Sequence, residues 1–355
     1  MKAFVNGIGF VAPFKSLHFH EVNHELLCEG EKGFLSCLEP DYKEHINPMA
    51  SRRMSRNVKM GIFSAKTCLS DAGIEMPDAI ITGTGLGCIE DTEKFLTYVI
   101  QNKETLLNPT PFIQSTHNTV SSQIALFIKC HGYNMTYSHR NFSFETALLD
   151  SLMLFREGMA QHVLTGGIDE LTMNSFQIQK RMGMWRDITQ SEKNILTGRS
   201  RGAFAGEGSA FLMLSRNHGN NAYARISAPH MIGKKINKQV QREEALRYLS
   251  KHGLTPDDID LVLAGYCGDR NSDELYDELT GDVFSDNGFA YFKHLSGDYQ
   301  TVSSFAAALA ATVIKSQRVP PLITIRPPRR NTLRNVLIYN HFFNSGHSFI
   351  LLQNV

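Results

Sequence analysis

The sequence predicts an α/β protein, and three observations carry that prediction. Short apolar runs of strand length alternate with longer stretches whose apolar residues recur at helical spacing. Glycines close several of the helical stretches, as C-cap residues commonly do. One segment, Tyr137 to Glu170, holds the pattern in miniature as strand, sharp turn, helix and strand.

Taken in order, residues 3–11 read as an opening strand that ends at Ala12-Pro13. Residues 15–50 are irregular, with several His and Glu. Arg52 to Ala72 is an amphipathic helix closed by Gly73, and Ala79 to Thr84 is a buried-type strand that runs into GTGLG at 83–87. A helix is expected over Asp91 to Gln101 and a loop over 104–116, where Asn108-Pro109 and Thr110-Pro111 stand. Val120 to Cys130 is a helix ended by Gly132. In the segment that follows, Phe144, Ala147, Leu148, Leu152 and Phe155 form one helical face and Gly158 ends the helix. His162 to Thr165 is then a short strand, expected to be broken by Gly166-Gly167.

Residues 171–200 are rich in Met and Arg without clear period, and 202–215 read as a glycine-bounded turn followed by a strand. Ala222 to Ile232 is strand-like and opens a second half. The helix Lys238 to His252, the strand Asp260 to Ala264 and the alanine-rich helix Ser303 to Gln317 follow, the last stopped by Val319-Pro320-Pro321. Asn335 to Tyr339 and Ser348 to Leu352 are closing strands. The expected division is 1–218 and 219–355.

Composition excludes several classes. With 355 residues, 42% hydrophobic and 20% charged, the chain can build a core without disulfides. A net charge of +1 leaves no nucleic-acid footprint. The cysteines, Cys28, Cys37, Cys68, Cys88, Cys130 and Cys267, form no C-x-x-C pair, which argues against structural zinc and fits a reducing compartment. The first residues read as strand rather than signal peptide, and no apolar run approaches membrane-spanning length. A cytoplasmic protein with no metal or cofactor is expected.

A strand that feeds a helix through a tight turn sets its turn residues at the helix N-terminus. That position favours anions and lowers the pKa of a thiol. The nucleophile position falls near residue 141, and the residue there is Asn141, whose amide cannot attack a thioester.

At this point the chain resembles the β-ketoacyl-ACP synthases of the thiolase-like fold, over nearly its whole length. GTGLG at 83–87 sits where that family has a glycine turn. GEG at 206–208, within SRGAFAGEGSAFLML, is similar to the family's GFVxGEGAGxLVL. LTPDDIDLVLAG at 254–265 resembles the approach to its HGT motif, and FKHLSGDYQTVSSFAAALAA at 292–311 its KSxxGHxxGAAG segment. VPP at 319–321 and Asn340 to Gly346, in place of NSFGFGG, complete the order. The resemblance implies a five-layer α-β-α-β-α fold of two similar halves.

It also implies a chemistry: a cysteine takes the acyl chain, and two histidines stabilise the enolate oxygen formed from malonyl-ACP. Carried across by motif, the cysteine falls on Asn141, the HGT histidine on Gly265 and the GHxxG histidine on Asp298. The lysine of KSxxGH is kept as Lys293 and the acid after HGT as Asp273. Phe204, Phe343, Asn344, Ser345 and Gly346 fall at substrate-facing positions. An amide is no nucleophile, glycine offers no donor, and an aspartate sets like charge beside an enolate. The pattern resembles the chain-length factors, synthase-shaped subunits without catalysis that pair with an active synthase and shape the pocket for the growing chain. In aromatic-polyketide members of that subgroup the cysteine is typically a glutamine; asparagine is a shorter amide of the same kind. The chain is also shorter than a typical condensing enzyme, which implies trimmed loops.

Other roles compete at each position. Asn141 suits a plain turn residue. Ser143 or Cys267 would be the nucleophile of an active 3-oxoacyl-ACP synthase or acyltransferase with altered residues. His139 and His294 flank the degenerate site. Lys293 is a candidate for a structural ion pair with Asp273, and Glu207 for a buried hydrogen-bonding anchor. Arg326, Arg329, Arg330 and Arg334 form a basic loop that is solvated or meets an acidic carrier protein. The implied partners are an acyl carrier protein and either an active ketosynthase or a second copy of the chain.

Overall fold

The structure, a computed structural model, describes residues 1–14, 33–52, 54–187 and 200–355. Half of the stretch expected to be irregular, residues 15–32 with Cys28, and residues 188–199 of the Met- and Arg-rich stretch lie outside the described residues.

The elements run β1 (Lys2–Val11), α1 (Pro48–Ser51), α2 (Arg56–Ala72), β2 (Ala79–Gly83), α3 (Ile89–Gln101), α4 (Pro109–Ser115), α5 (Thr119–Ile128), β3 (Tyr133–Tyr137), α6 (Ser143–Glu157) and β4 (His162–Asp169). Then come α7 (Met173–Arg181), β5 (Trp185–Arg186), β6 (Ala203–Phe204), β7 (Gly208–Ser215), β8 (Ala224–Ser227), β9 (His230–Ile232), α8 (Lys238–Lys251) and β10 (Leu261–Ala264). The chain closes with α9 (Arg270–Gly281), β11 (Gly288–Tyr291), α10 (Lys293–Ser296), α11 (Val302–Ser316), β12 (Thr324–Arg326), β13 (Asn335–His341) and β14 (His347–Gln353).

One strand order occurs twice. In the first half the order is β3-β2-β4-β7-β1, and in the second β11-β10-β13-β14-β8. Each run pairs its first three strands in parallel and the rest antiparallel. The repeat supports two similar halves. They join edge to edge, because β1 and β8 pair antiparallel from Lys2↔Ser227 to Val5↔Ala224.

Side-chain alternation along the strands builds the layers. Ile80, Leu164, Phe211 and Met213 face an outer core shared with α2 and α5. Their neighbours Ala79, Ile81, Val163, Leu212 and Leu214 face a central core made with α6 and α11. Leu261, Leu263, Val336 and Ile338 meet that core from the other half, while Val262, Ala264, Leu337 and Tyr339 turn outward to α8 and α9. The result is the α-β-α-β-α arrangement of the thiolase-like fold. Helix α11 is apolar or small all round and buried through most of its length, as a helix between two sheets must be. No helix among the described residues is long and apolar enough to cross a membrane.

Several element expectations need correction. Residues 104–116 hold a helix, α4: Pro109 takes the first helical position and Asn108 caps it by accepting from Thr110 N at 3.0 Å. Helix α2 starts at Arg56 under a Ser55 cap, with α1 as a separate turn before it. Helix α5 ends before Gly132, because Lys129 itself adopts a left-handed φ of 59° and closes the turn. Gly166-Gly167 do not break β4, which runs on to Asp169. A Cβ on Gly166 would overlap the Phe211 ring, and one on Gly167 would lie 2.7 Å from Thr301 Cβ, at the start of α11. Gly167 lets the second half's central helix approach the sheet, and Gly166 makes room for Phe211 on the neighbouring strand.

Candidate functional site

Asn141 lies in a single 3-10 turn, Arg140–Phe142, between β3 and α6. Arg140 makes the corner with a left-handed φ of 41°. The Asn141 amide does not cap α6; it reaches across the molecule and donates to Ser345 Oγ at 3.0 Å. Gly346 lies against it so closely that a Cβ there would sit 2.9 Å from both Asn141 Cβ and Nδ2. The loop between β13 and β14 is therefore seated on position 141.

Ser143 is fully buried. Its hydroxyl donates to Thr84 O at 2.9 Å and accepts from His139 N at 3.0 Å, so it knits the turn together and is not presented to solvent. His139 is exposed and stacks on Phe142.

Gly265, Lys293 and Asp298 come together on the other side of the same loop. A Cβ at Gly265 would overlap Asn340 Oδ1 and lie 2.8 Å from Tyr276 OH and 3.1 Å from Lys293 Cε. The ends of these three side chains occupy the space that any side chain at 265 would enter. Lys293 Nζ pairs with Asp298 Oδ1 at 2.8 Å, with both side chains almost wholly buried. The lysine's partner is thus Asp298, not the expected Asp273. Asp273 instead closes its own turn, accepting from Cys267 N at 2.9 Å and Gly268 N at 2.8 Å.

Burial raises the Asp298 carboxyl above its ordinary range against the pull of Lys293, and pushes Asp273 up to about 6. Cys267 is buried, and burial together with Asp273 and Asp298 raises its thiol well above the usual value despite Lys293, so it carries no thiolate at neutral pH. His294 is buried under Tyr291, ring centroids 4.0 Å apart.

The loop itself is built to hold one shape. Phe343 and Asn344 both take left-handed backbone, φ 48° and 52°. Asn344 Oδ1 accepts from Ile236 N at 3.2 Å and meets His347 Nε2 at 2.9 Å, while its N donates to His341 Nδ1 at 3.3 Å. Phe342 and Phe343 pack on Trp185. Phe204 is buried beneath the Arg186 guanidinium, and its carbonyl accepts from Asp298 N at 2.7 Å. Of the positions that resemblance made substrate-facing, Phe204 and Gly346 are buried and Ser345 is exposed.

Sequence reasoning missed His341 and His347, which flank this loop with ring centroids 5.1 Å apart. His341 stacks on Tyr276 at 4.3 Å, and His347 meets Tyr339 OH through Nδ1 at 3.0 Å. Burial lowers both, His347 to about 4, so they stay neutral. The only signal was one His at each end of a short loop between two strands.

Two further sequence readings meet their geometry here. Glu207 is buried and accepts both Arg56 guanidinium nitrogens at 2.7 Å, Cys37 N at 2.9 Å and Leu171 N at 2.9 Å, which makes it an anchor. The basic loop is largely spoken for: Arg326 donates to Asn287 O and Phe284 O, Arg329 pairs with Asp286, and Arg330 pairs with Asp260 at 3.1 Å.

Among the described residues around the mouth of α6, the two candidate nucleophiles, Ser143 and Cys267, are both buried. The model of the beta-ketoacyl synthase N-terminal domain matches residues 26–219, and the chain belongs to the β-ketoacyl synthase family. Its fold is similar to that of a solved structure titled the ishigamide ketosynthase/chain length factor, with a TM-score of 0.81 at 16% identity, covering 100% of this chain and 99% of that one. A beta-ketoacyl synthase from Burkholderia phymatum STM815 is similar to the same degree, with a TM-score of 0.80 at 16% identity and coverage of 100% and 99%. No curated protein sequence matches the chain significantly.

Proposed function

We propose that this chain is a non-catalytic, chain-length-factor-like subunit of fatty-acid, polyketide or polyene assembly. It pairs with an active ketosynthase that works on substrates held by an acyl carrier protein. The observation that carries this reading is the packing at Gly265: the place of an enolate-stabilising imidazole is taken by the ends of Asn340, Tyr276 and Lys293, and Lys293 is paired with Asp298. Loss of one oxyanion donor costs on the order of 10²–10³ in rate, and here the nucleophile and both donors are replaced. An active enzyme using Ser143 or Cys267 draws no support, since the hydroxyl is bound on both sides and the thiol is buried and protonated.

The route for pairing is β3. It closes one end of the sheet, bonded only to β2, with Tyr133, Asn134 and Met135 exposed along it. An open strand edge carrying apolar side chains invites a further strand. Co-expression with an intact synthase from the same gene neighbourhood should yield a stable complex whose products differ in length from those of the synthase alone. Met135→Asp should abolish the complex and leave the chain folded. Intact mass after incubation with acyl-ACP should show no adduct on this chain; a stoichiometric adduct would defeat the reading.

A further inference from the structure

The interior next to position 141 holds a buried polar pair, although the family's chemistry handles an apolar chain. Glu145 stands four residues beyond Asn141, in the first turn of α6, and it is fully buried. Its Oε1 accepts from Ser348 Oγ at 2.7 Å, also buried, and Ser348 lies opposite Asn340 in the β13–β14 ladder. Asn340 is the residue that closes over Gly265. Ser303, in the first turn of α11, and Lys293 act on the same carboxyl. Lys293 also acts on Asp273 and Asp298, so one buried ammonium serves three buried carboxyl groups.

We propose that Glu145 is a plug: it bars an apolar acyl chain from the interior beneath Asn141. An alkyl chain laid there would have to cover the carboxyl and the Ser348 hydroxyl, each of which loses its hydrogen bond if the other is displaced. The seating of Gly346 on Asn141 closes the same space from the loop side. The role is to exclude, not to catalyse, and a chain delivered by a partner meets a closed floor in this subunit. This inference rests on the proposed function in taking Asn141 as the former reacting position.

The test is equilibrium binding of decanoyl-pantetheine to the whole chain, in wild type, Glu145→Gln and Glu145→Ala. Glu145→Ala removes the carboxyl and leaves room, so it should bind at least about tenfold more tightly than wild type. Glu145→Gln keeps size and polarity and should behave as wild type. Binding to wild type as tight as to Glu145→Ala, or a folded Glu145→Ala that binds no better than wild type, would overturn the proposal. If Glu145→Ala does not fold, a photoreactive decanoyl-pantetheine on wild type decides. Labelling of the peptides that hold residues 145 or 348 overturns the plug, and labelling confined elsewhere, or none, upholds it. Partner capture with the same variants is read separately: a chain that never pairs, yet shows this binding pattern, refutes the proposed function and keeps the plug.

Discussion

Two buried ion pairs, Arg56–Glu207 and Lys293–Asp298, show how differently the same kind of contact serves this molecule. Glu207 receives four donors on two oxygens: a forked guanidinium and two backbone N–H groups from separate segments. Its desolvation is offset by a full set of short, charge-assisted bonds. Lys293 is a single ammonium among Asp298, Asp273 and Glu145, and burial has pushed all three acids toward their protonated forms. The first pair ties residues 37, 56, 171 and 207 into a frame. The second sets one ammonium against three acids, and its charges do not balance.

The comparison breaks first at Glu207. Glu207→Ala should cost on the order of 3 kcal/mol by leaving the two terminal Arg56 nitrogens and two backbone N–H groups without their acceptor, while Arg56 keeps its pair with Glu39 through Nε. Urea unfolding measures it, and a loss under about 1 kcal/mol would mean the anchor is no anchor. That loss should vary little between pH 5 and 8, since arginine stays charged throughout.

Lys293→Met sharpens the contrast, because its cost should depend on pH. An acid whose folded pKa is raised contributes stability at low pH that is lost as pH rises from its unfolded value to its folded one. Asp273, at about 6, does this in the wild type over the range from roughly 4 up to that value. Without the ammonium the folded values of the three acids rise further and the loss extends upward. Lys293→Met should therefore be tolerated near pH 5 and lose about 1.4 kcal/mol per pH unit for each proton retained above it. Thermal melts across pH check this, and equal costs at pH 5 and pH 8 would contradict it.

Gly265→Ala comes next, at roughly 1–3 kcal/mol from overpacking against Asn340, Tyr276 and Lys293. The corollary concerns activity: combining Asn141→Cys, Gly265→His and Asp298→His should not produce decarboxylation of malonyl-ACP, because Asn340, Tyr276 and Lys293 occupy the space the imidazole at 265 would need. Recovered product would show that the site was altered in its residues but not in its space.

How much of this was legible depended on whether the reason for a residue was local. The Ser55 cap of α2 and the glycines that end α2 and α6 were readable, since cap chemistry lies within a few residues. The positions 141, 265, 293 and 298 came from motif resemblance, not from local chemistry. Gly166-Gly167 were misread because their cause is Phe211 and the start of α11, 45 and 134 positions away from the residues each meets. Lys293 was given the wrong acid, since Asp273 and Asp298 both stand near it and only three-dimensional packing selects Asp298. Helix α4 was hidden by two prolines that read as loop until Asn108 is seen as a cap.

The smallest effect separates two ways of holding the β13–β14 loop. Ser345 is exposed, so its bond to the Asn141 amide competes with water; Ser345→Ala should cost no more than about 0.5–1.5 kcal/mol. Asn344 takes a left-handed backbone and ties Ile236, His341 and His347 to the loop, so Asn344→Ala removes two of those bonds and strains the chain as well. It should cost roughly 2–3 kcal/mol by the same reckoning, with Asn344→Gly recovering the backbone part. If Ser345→Ala proves the more damaging, the loop is held from position 141 outward, and the Asn141 amide is itself the tie that fixes the mouth of α6.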